Sequence, residues 1–167
     1  MKDDLTPAEL LSRLSYNPVS GVLRWLNGPR AGKVAGCICE STGYIHVKLN
    51  GFQYLAHRLA WLHHYGEWPK GECDHRNRRR AENWITNLRE CTPTQNRANA
   101  GIRSTNTTGL KGVCFDKRSK KYRADIRTDG QRRTLGYFDN AHHAAAAYSS
   151  AALAAHGEFA ALVGEAD

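Results

Sequence analysis

Asp74 and His75 stand side by side, Asn87 follows after eleven residues, and six residues separate Arg89 from Asn96. An imidazole titrates close to neutrality and accepts a proton from water readily. A carboxylate and an amide oxygen are hard donors that suit Mg²⁺ or Mn²⁺, with waters and substrate oxygens completing the shell. Phosphodiester hydrolysis asks for both: a deprotonated water, and stabilisation of charge on the phosphate and the leaving oxygen. An isolated Asp-His pair would be an ordinary loop pair. Here Arg76, Arg78, Arg79 and Arg80 follow it directly. Four guanidiniums beside a phosphate-handling site are suited to clamp a nucleic-acid backbone.

These residues need elements to hold them. The run Trp68 to His75 reads as a short strand leading into the arginine loop, and Ile85 to Leu88 as a second brief segment. Thr92-Pro93 opens a helix, with Thr as cap and Pro in the first turn, on which Gln95, Asn96 and Asn99 ride. The pair would then sit at one strand end, with Asn96 brought opposite by the helix. Upstream, Thr6-Pro7 with Glu9 forms a capping box for a short helix. Tyr44 to Leu49 alternates, with Ile45, Val47 and Leu49 on one face, and Asn50-Gly51 turns it into Phe52 to Leu55. A helix from about Ala56 to Tyr65 stops at Gly66.

The C-terminal third has a different grammar. After the polar stretch 101–110, expected to be a linker, come three short strands and one helix. In 121–127 the period of two puts Tyr122, Ala124 and Ile126 on one face, and Lys121, Arg123, Asp125 and Arg127 on the other. Asp129-Gly130 turns the chain into the strand that carries Arg132 and Arg133. Asn140 caps an alanine-rich helix with a stripe of Ala144, Tyr148, Ala151, Ala152 and Ala155, small enough to lie close on the sheet. Between Lys111 and Arg133 there are nine Lys or Arg against three Asp, and beyond Arg133 there is neither Lys nor Arg. A sheet face of one dominant sign points to nucleic acid.

Composition agrees. The chain has 167 residues, a formal net charge of +8 and 41% apolar residues. That length suits one domain or two small ones with modest cores. The positive charge implies a polyanionic partner, nucleic acid ahead of an anionic membrane surface. No apolar run approaches a bilayer span, and no signal-peptide core follows Met1-Lys2-Asp3-Asp4, so a cytoplasmic protein is expected. Five cysteines cannot all pair within one molecule. Cys73, His75 and Cys91 offer a zinc alternative, but without paired C-x-x-C knuckles, and reduced thiols are the expectation. Trp25, Trp61, Trp68 and Trp84 are expected in the core. His46 is placed on the solvent face; His63, His64, His142 and His143 receive no role. His57, beside Arg58, either supports the fold or touches a phosphate.

The runs Cys73-Asp74-His75-Arg76-Asn77, Ala81 to Arg89 and Thr94-Gln95-Asn96, with Ala56 to Trp61 upstream, resemble the HNH (His-Me finger) endonucleases of phages and mobile introns. That resemblance implies a two-strand-and-helix metal finger. His75 would be the general base, Asp74 and Asn96 the ligands of one Mg²⁺ or Mn²⁺, and Asn87 the central Asn that holds the loop carrying His75 by hydrogen bonds to backbone. Asn96 stands where many relatives have His, and Glu82 where many have Asp. Residues 111–162 resemble the AP2 DNA-binding domain, through Lys111-Gly112-Val113, Tyr122 to Arg127, Leu135 to Phe138, Ala144 to Tyr148 and Gly157-Glu158-Phe159. That family lays its three-stranded sheet in the major groove, which here would present Lys121, Arg123, Arg127, Arg132 and Arg133. Thr134 replaces the tryptophan usual before Leu-Gly in plant members, so sequence preference does not carry over.

The expectation is an α+β chain: a ββα-metal nuclease domain over 1–100, a linker over 101–110, and an AP2-like domain of three antiparallel strands and a helix over 111–167. It would act as a monomer on double-stranded DNA, as a site-specific, strand-nicking endonuclease without a small-molecule cofactor. The alternatives are a DNA-binding regulator that has lost activity and an RNA binder; a sheet shaped for the B-form major groove cannot enter the narrow A-form one.

Overall fold

The computed structural model describes residues 5–128 and 130–161. Helix and sheet are mixed throughout, and the chain divides into two compact units, Met1–Cys91 and Thr92–Asp167. The division falls upstream of the 101–110 stretch expected to be the linker.

In the first unit, α1 (Pro7–Arg13) starts at the Thr6–Glu9 capping box and runs directly into β1 (Leu14–Tyr16), which pairs antiparallel with β2 (Leu23–Trp25). A second sheet has the order β3 (Cys37–Ile38), β4 (Ile45–Leu49), β5 (Phe52–Leu55). Asn50 and Gly51 both have positive φ, 51° and 84°, as the tightest hairpin turns demand. α2 (Ala56–Tyr65) follows and ends on Gly66 in the left-handed conformation. Leu10, Leu14, Val47, Leu59 and Leu62 make the fully enclosed centre of the core.

β6 (Glu72–His75) and β7 (Leu88–Cys91) form an antiparallel ribbon, with Asp74 opposite Arg89 and His75 opposite Leu88. A two-stranded ribbon is marginal by itself. This one is backed by Ala60 on α2, which packs with Cys73 and Leu88 and, around them, Tyr16, Trp61 and Ile85.

The second unit begins with α3 (Pro93–Asn99), capped by Thr92 with Gln95 in a full capping box. α3 packs against α4 (Ala141–His156) and the short turn Gly157–Phe159. The sheet has the order β10 (Gln131–Phe138), β9 (Lys121–Thr128), β8 (Val113–Asp116), all antiparallel. Asp129, the first residue of the expected turn, lies outside the described residues, as do 162–167. The inward face of the sheet carries Val113, Ala124 and Ile126 against Ala144, Ala145, Tyr148 and Ala152. Approach is close: a Cβ at Gly112 would come within 2.0 Å of the Tyr148 ring. Ala155, expected in the buried stripe, is exposed, and Ala145 is buried in the stripe's company. Residues 144–147 are all alanine, so the sequence offers no polarity contrast from which to choose the buried face.

The 101–110 stretch is not bare chain. Asn106 Oδ1 accepts from the backbone of Thr108 (2.9 Å) and Gly109 (2.8 Å), and its Nδ2 donates to the Leu110 carbonyl (3.0 Å). One asparagine side chain thus closes the turn into β8.

Candidate active site

His75 ends β6 and is buried, at 2% exposure. Its Nε2 lies 2.9 Å from Asn83 Oδ1. The orientation of that amide is supported by Asn83 Nδ2, which donates to the Ala81 carbonyl at 3.4 Å. An amide oxygen only accepts. The contact is a hydrogen bond in the tautomer of neutral His75 that carries its proton on Nε2. Burial pushes the His75 pKa below its ordinary value, outweighing the Asn83 hydrogen bond and the Asp74 charge, which pull upward.

The loop from His75 to Asn87 is closed by side chains, as a segment with little secondary structure requires. Asn87 Oδ1 accepts from Asn77 N (3.1 Å), and Asn87 Nδ2 donates to Asn77 Oδ1 (2.9 Å) and to the Glu82 carbonyl (2.7 Å). Asn77 Nδ2 donates to Glu82 Oε2 at 2.6 Å, and backbone bonds join Arg76 N to Asn87 O and Arg78 N to His75 O. Arg78 holds a φ of +66°, uncommon for a side chain of its size. Glu82 thus keeps a place in the network, as acceptor for Asn77 and, through Oε1, for Arg79 at 3.3 Å.

Asp74 and Arg89 form an enclosed ion pair, Oδ2 to Nε at 3.0 Å, with side chains 7% and 6% exposed. Sequence reasoning missed Arg89; the signal for it is the strand register, which sets an arginine directly opposite Asp74. Asn96 is half-buried on α3, in the second unit. The donor chemistry of a carboxylate and an amide fits a hard divalent ion. Among the described residues no three His, Cys, Asp or Glu are grouped to hold a metal, so Cys73, His75 and Cys91 do not make the zinc alternative. All five cysteines are free; burial raises Cys73 to about 12 and Cys91 to about 11.

Sequence reasoning missed Tyr44 as part of this site and left His57 between supporting the fold and touching a phosphate. The His57 ring stands edge-on to His75 with centroids 4.9 Å apart, and Tyr44 lies 5.1 Å from His57 and 6.0 Å from His75. Burial, then the His75 and Arg58 charges, push His57 down to about 3, and its enclosed Nδ1 meets no partner. His57 is neutral at any working pH. That favours support of the fold over contact with a phosphate. His46, expected to face solvent, is half-buried with Nε2 enclosed, because β4 is the middle strand of its sheet. The four tryptophans are half-buried rather than enclosed. Of the loop arginines, Arg80 donates to the Thr42 carbonyl (2.7 Å) and lies over the Tyr44 ring; Arg76 and Arg79 are exposed and Arg78 half-buried.

On the outward face of the second unit's sheet, Asp125 gathers the donors around it. Arg123 Nε donates to Asp125 Oδ2 at 3.1 Å, Thr134 Oγ1 to Oδ1 at 2.9 Å, and Arg132 also donates to Oδ2. Burial pushes Asp125 up, but the Arg132 and Thr134 hydrogen bonds with the Arg123 and Arg132 charges more than offset it and hold the carboxyl below its usual value. A hydrogen bond to Tyr137, then the Asp125 charge, raise Arg123. Lys121 pairs with Asp139 at 3.2 Å; Arg127 and Arg133 are exposed.

Residues 54–98 match the family model for HNH endonucleases. The match supports an HNH nuclease acting on DNA, and HNH nucleases generally use a divalent metal ion. It covers α2, the β6–β7 ribbon and most of α3, and so contains Asp74, His75, Asn83, Asn87, Arg89 and Asn96. No curated protein and no solved structure matches the chain. Among the described residues no helix is long and apolar enough to cross a membrane.

Proposed function

We propose that the chain is a site-specific DNA endonuclease of the homing type. It nicks one strand through a ββα-metal site and grips its target with an AP2-like sheet. The observation that carries this reading is the hydrogen bond between His75 Nε2 and Asn83 Oδ1, which leaves the lone pair of a neutral imidazole on Nδ1. A buried histidine held neutral is competent to take a proton from water at physiological pH. Asp74, held by Arg89, offers a hard oxygen for one Mg²⁺ or Mn²⁺, and Asn96 is the second ligand that the resemblance to HNH endonucleases implies. When bound, the cation offsets negative charge on the phosphate and the departing oxygen. Asn87 keeps the His75 loop closed, and Arg76, Arg78, Arg79 and Arg80 take the DNA backbone. Lys121, Arg123, Arg127, Arg132 and Arg133 form the second contact, with Asp125 ordering Arg123 and Arg132 rather than touching the polyanion. A monomer with one site cuts one strand per encounter.

Supercoiled plasmid with Mg²⁺ tests this directly. Conversion to open circle by the parent, blocked by EDTA and lost in His75→Ala, is expected. DNA binding without any nicking would favour the inactive regulator instead.

A further inference from the structure

We propose that Asn83 is the positioning residue of His75, fixing its imidazole as the Nε2–H tautomer, and that the N-terminal turn Tyr16–Gly21 is the plate holding Asn83 in place. The inference rests on the reading of His75 as the base, yet its geometry lies partly outside the region that matches a known family.

Asn83 is 1% exposed, the most enclosed of the buried polar residues described. A buried amide is costly unless its groups are paired. Its oxygen goes to His75 and its nitrogen to Ala81. The backbone around Asn83 is fixed by residues 16–21. The Tyr16 hydroxyl donates to the Asn83 carbonyl at 2.7 Å. The Pro18 carbonyl accepts from Ile85 N at 2.9 Å. At Gly21, with φ of +72°, a Cβ would lie 2.4 Å from Trp84 N and 2.5 Å from Asn83 C. Only glycine permits so close an approach. The turn is itself stiff: Asn17 Oδ1 accepts from Val19 N (2.9 Å) and Ser20 N (3.0 Å), and Asn17 O from Gly21 N (2.8 Å).

The consequence is chemical as well as structural. An imidazole with a free choice of tautomer presents its lone pair on either nitrogen, and only one of them can face the water to be activated. An acceptor fixed on Nε2 removes the choice. Partners that fix the tautomer of a metal-ligating histidine in the same way are worth about 10–100-fold in metal affinity or activity, and the same order is expected here.

Long-range ¹H–¹⁵N spectra of the ¹⁵N-histidine-labelled full chain read the tautomer without reference to cleavage, with His75→Ala assigning the signal. The parent should show His75 protonated on Nε2; an Nδ1–H form overturns the proposal outright. Asn83→Leu, which keeps the volume and removes the oxygen, should mix the tautomers and lower kcat about 10–100-fold with KM for DNA unchanged. Asn83→Asp, which retains an acceptor, should preserve the Nε2–H form. If Asn83→Leu fails to fold, Tyr16→Phe removes a single hydrogen bond from the Asn83 carbonyl and should give a smaller shift and a smaller fall in kcat. A folded Asn83→Leu or Tyr16→Phe with parental spectrum and kcat overturns the positioning role. A parent with the Nε2–H form whose His75→Ala variant still nicks overturns the catalytic reading and leaves the tautomer assignment standing.

Discussion

The two units use polar residues in opposite ways. In the first, His57, Asp74, His75, Asn83, Asn87 and Arg89 are all buried, and hydrogen bonds, an ion pair and ring packing tie them together. In the second, Asn99 is buried but the core is otherwise alanine, valine, isoleucine, Tyr148 and Phe159, and the charges stand on the outer face of β9 and β10. A network inside protein is strong where complete and costly where broken. A charge at the surface is screened and replaceable. Substitutions in the first unit should therefore move chemistry and stability together, whereas those on the outer sheet face of the second should move affinity alone.

The largest effect belongs to His75→Ala: a loss of about 10²–10⁴-fold or more in cleavage rate with DNA affinity retained. Gel assays of nicking alongside equilibrium binding check it, and a variant as active as the parent would end the distinction between the units.

Next comes Asp74→Ala. It should abolish cleavage, and because it strips the carboxylate from an enclosed guanidinium it should also cost roughly 3–5 kcal/mol of stability. Asn96→Ala should abolish cleavage with a far smaller change in unfolding midpoint. Equal denaturation midpoints for parent and Asp74→Ala would show that the ion pair with Arg89 contributes nothing.

Acid should separate the units further. His57 is held at about 3 in the folded chain against an ordinary value of 6.5. The unfolded chain thus binds the proton first, and stability falls as pH drops from 6.5 toward 3. Each such site costs at most about 1.4 kcal/mol per pH unit. Because burial also lowers His75, the acid limb of kcat/KM should lie below an ordinary histidine's value. A limb above it would contradict the burial of His75. Urea titrations and rate profiles across this range supply both numbers.

The smallest effects should come from the sheet. Arg127→Ala or Arg133→Ala should leave stability and the rate on saturating DNA alone. Each should flatten the log–log salt slope of binding by about 0.9 for every phosphate that is no longer neutralised. If either instead reads a base, the weakening should fall on target DNA, by about 1–3 kcal/mol, and not on random DNA. Asp125→Asn, by loosening Arg123 and Arg132, should narrow the gap between target and random DNA without weakening the non-specific term.

Local signals settled much of this protein in the sequence alone. The capping box at Thr6, the Thr92 cap with Pro93, the Asn50-Gly51 turn, the stop at Gly66 and the alternation in 121–127 each depend on a few neighbouring residues, and each element forms where its signal stands. The spacing of Asp74, His75 and Asn87 likewise placed a polar loop after a short strand, but the brief segment read at Ile85 to Leu88 is a 3-10 turn over Ile85–Asn87, and the second strand runs Leu88–Cys91. What the sequence could not show were strands of two or three residues such as β1, β2 and β3, too short for any period to register. Nor could it show pairings whose partners meet only after folding. Arg89 finds Asp74 through the register of an antiparallel ribbon, and Tyr16 reaches Asn83 across 67 residues. Nor does any single position announce that His57 will be sealed from water, because burial is a property of what closes over a residue. The residue types that can do the chemistry are written in the chain; which nitrogen carries the proton, and what holds it there, is decided by tertiary contact.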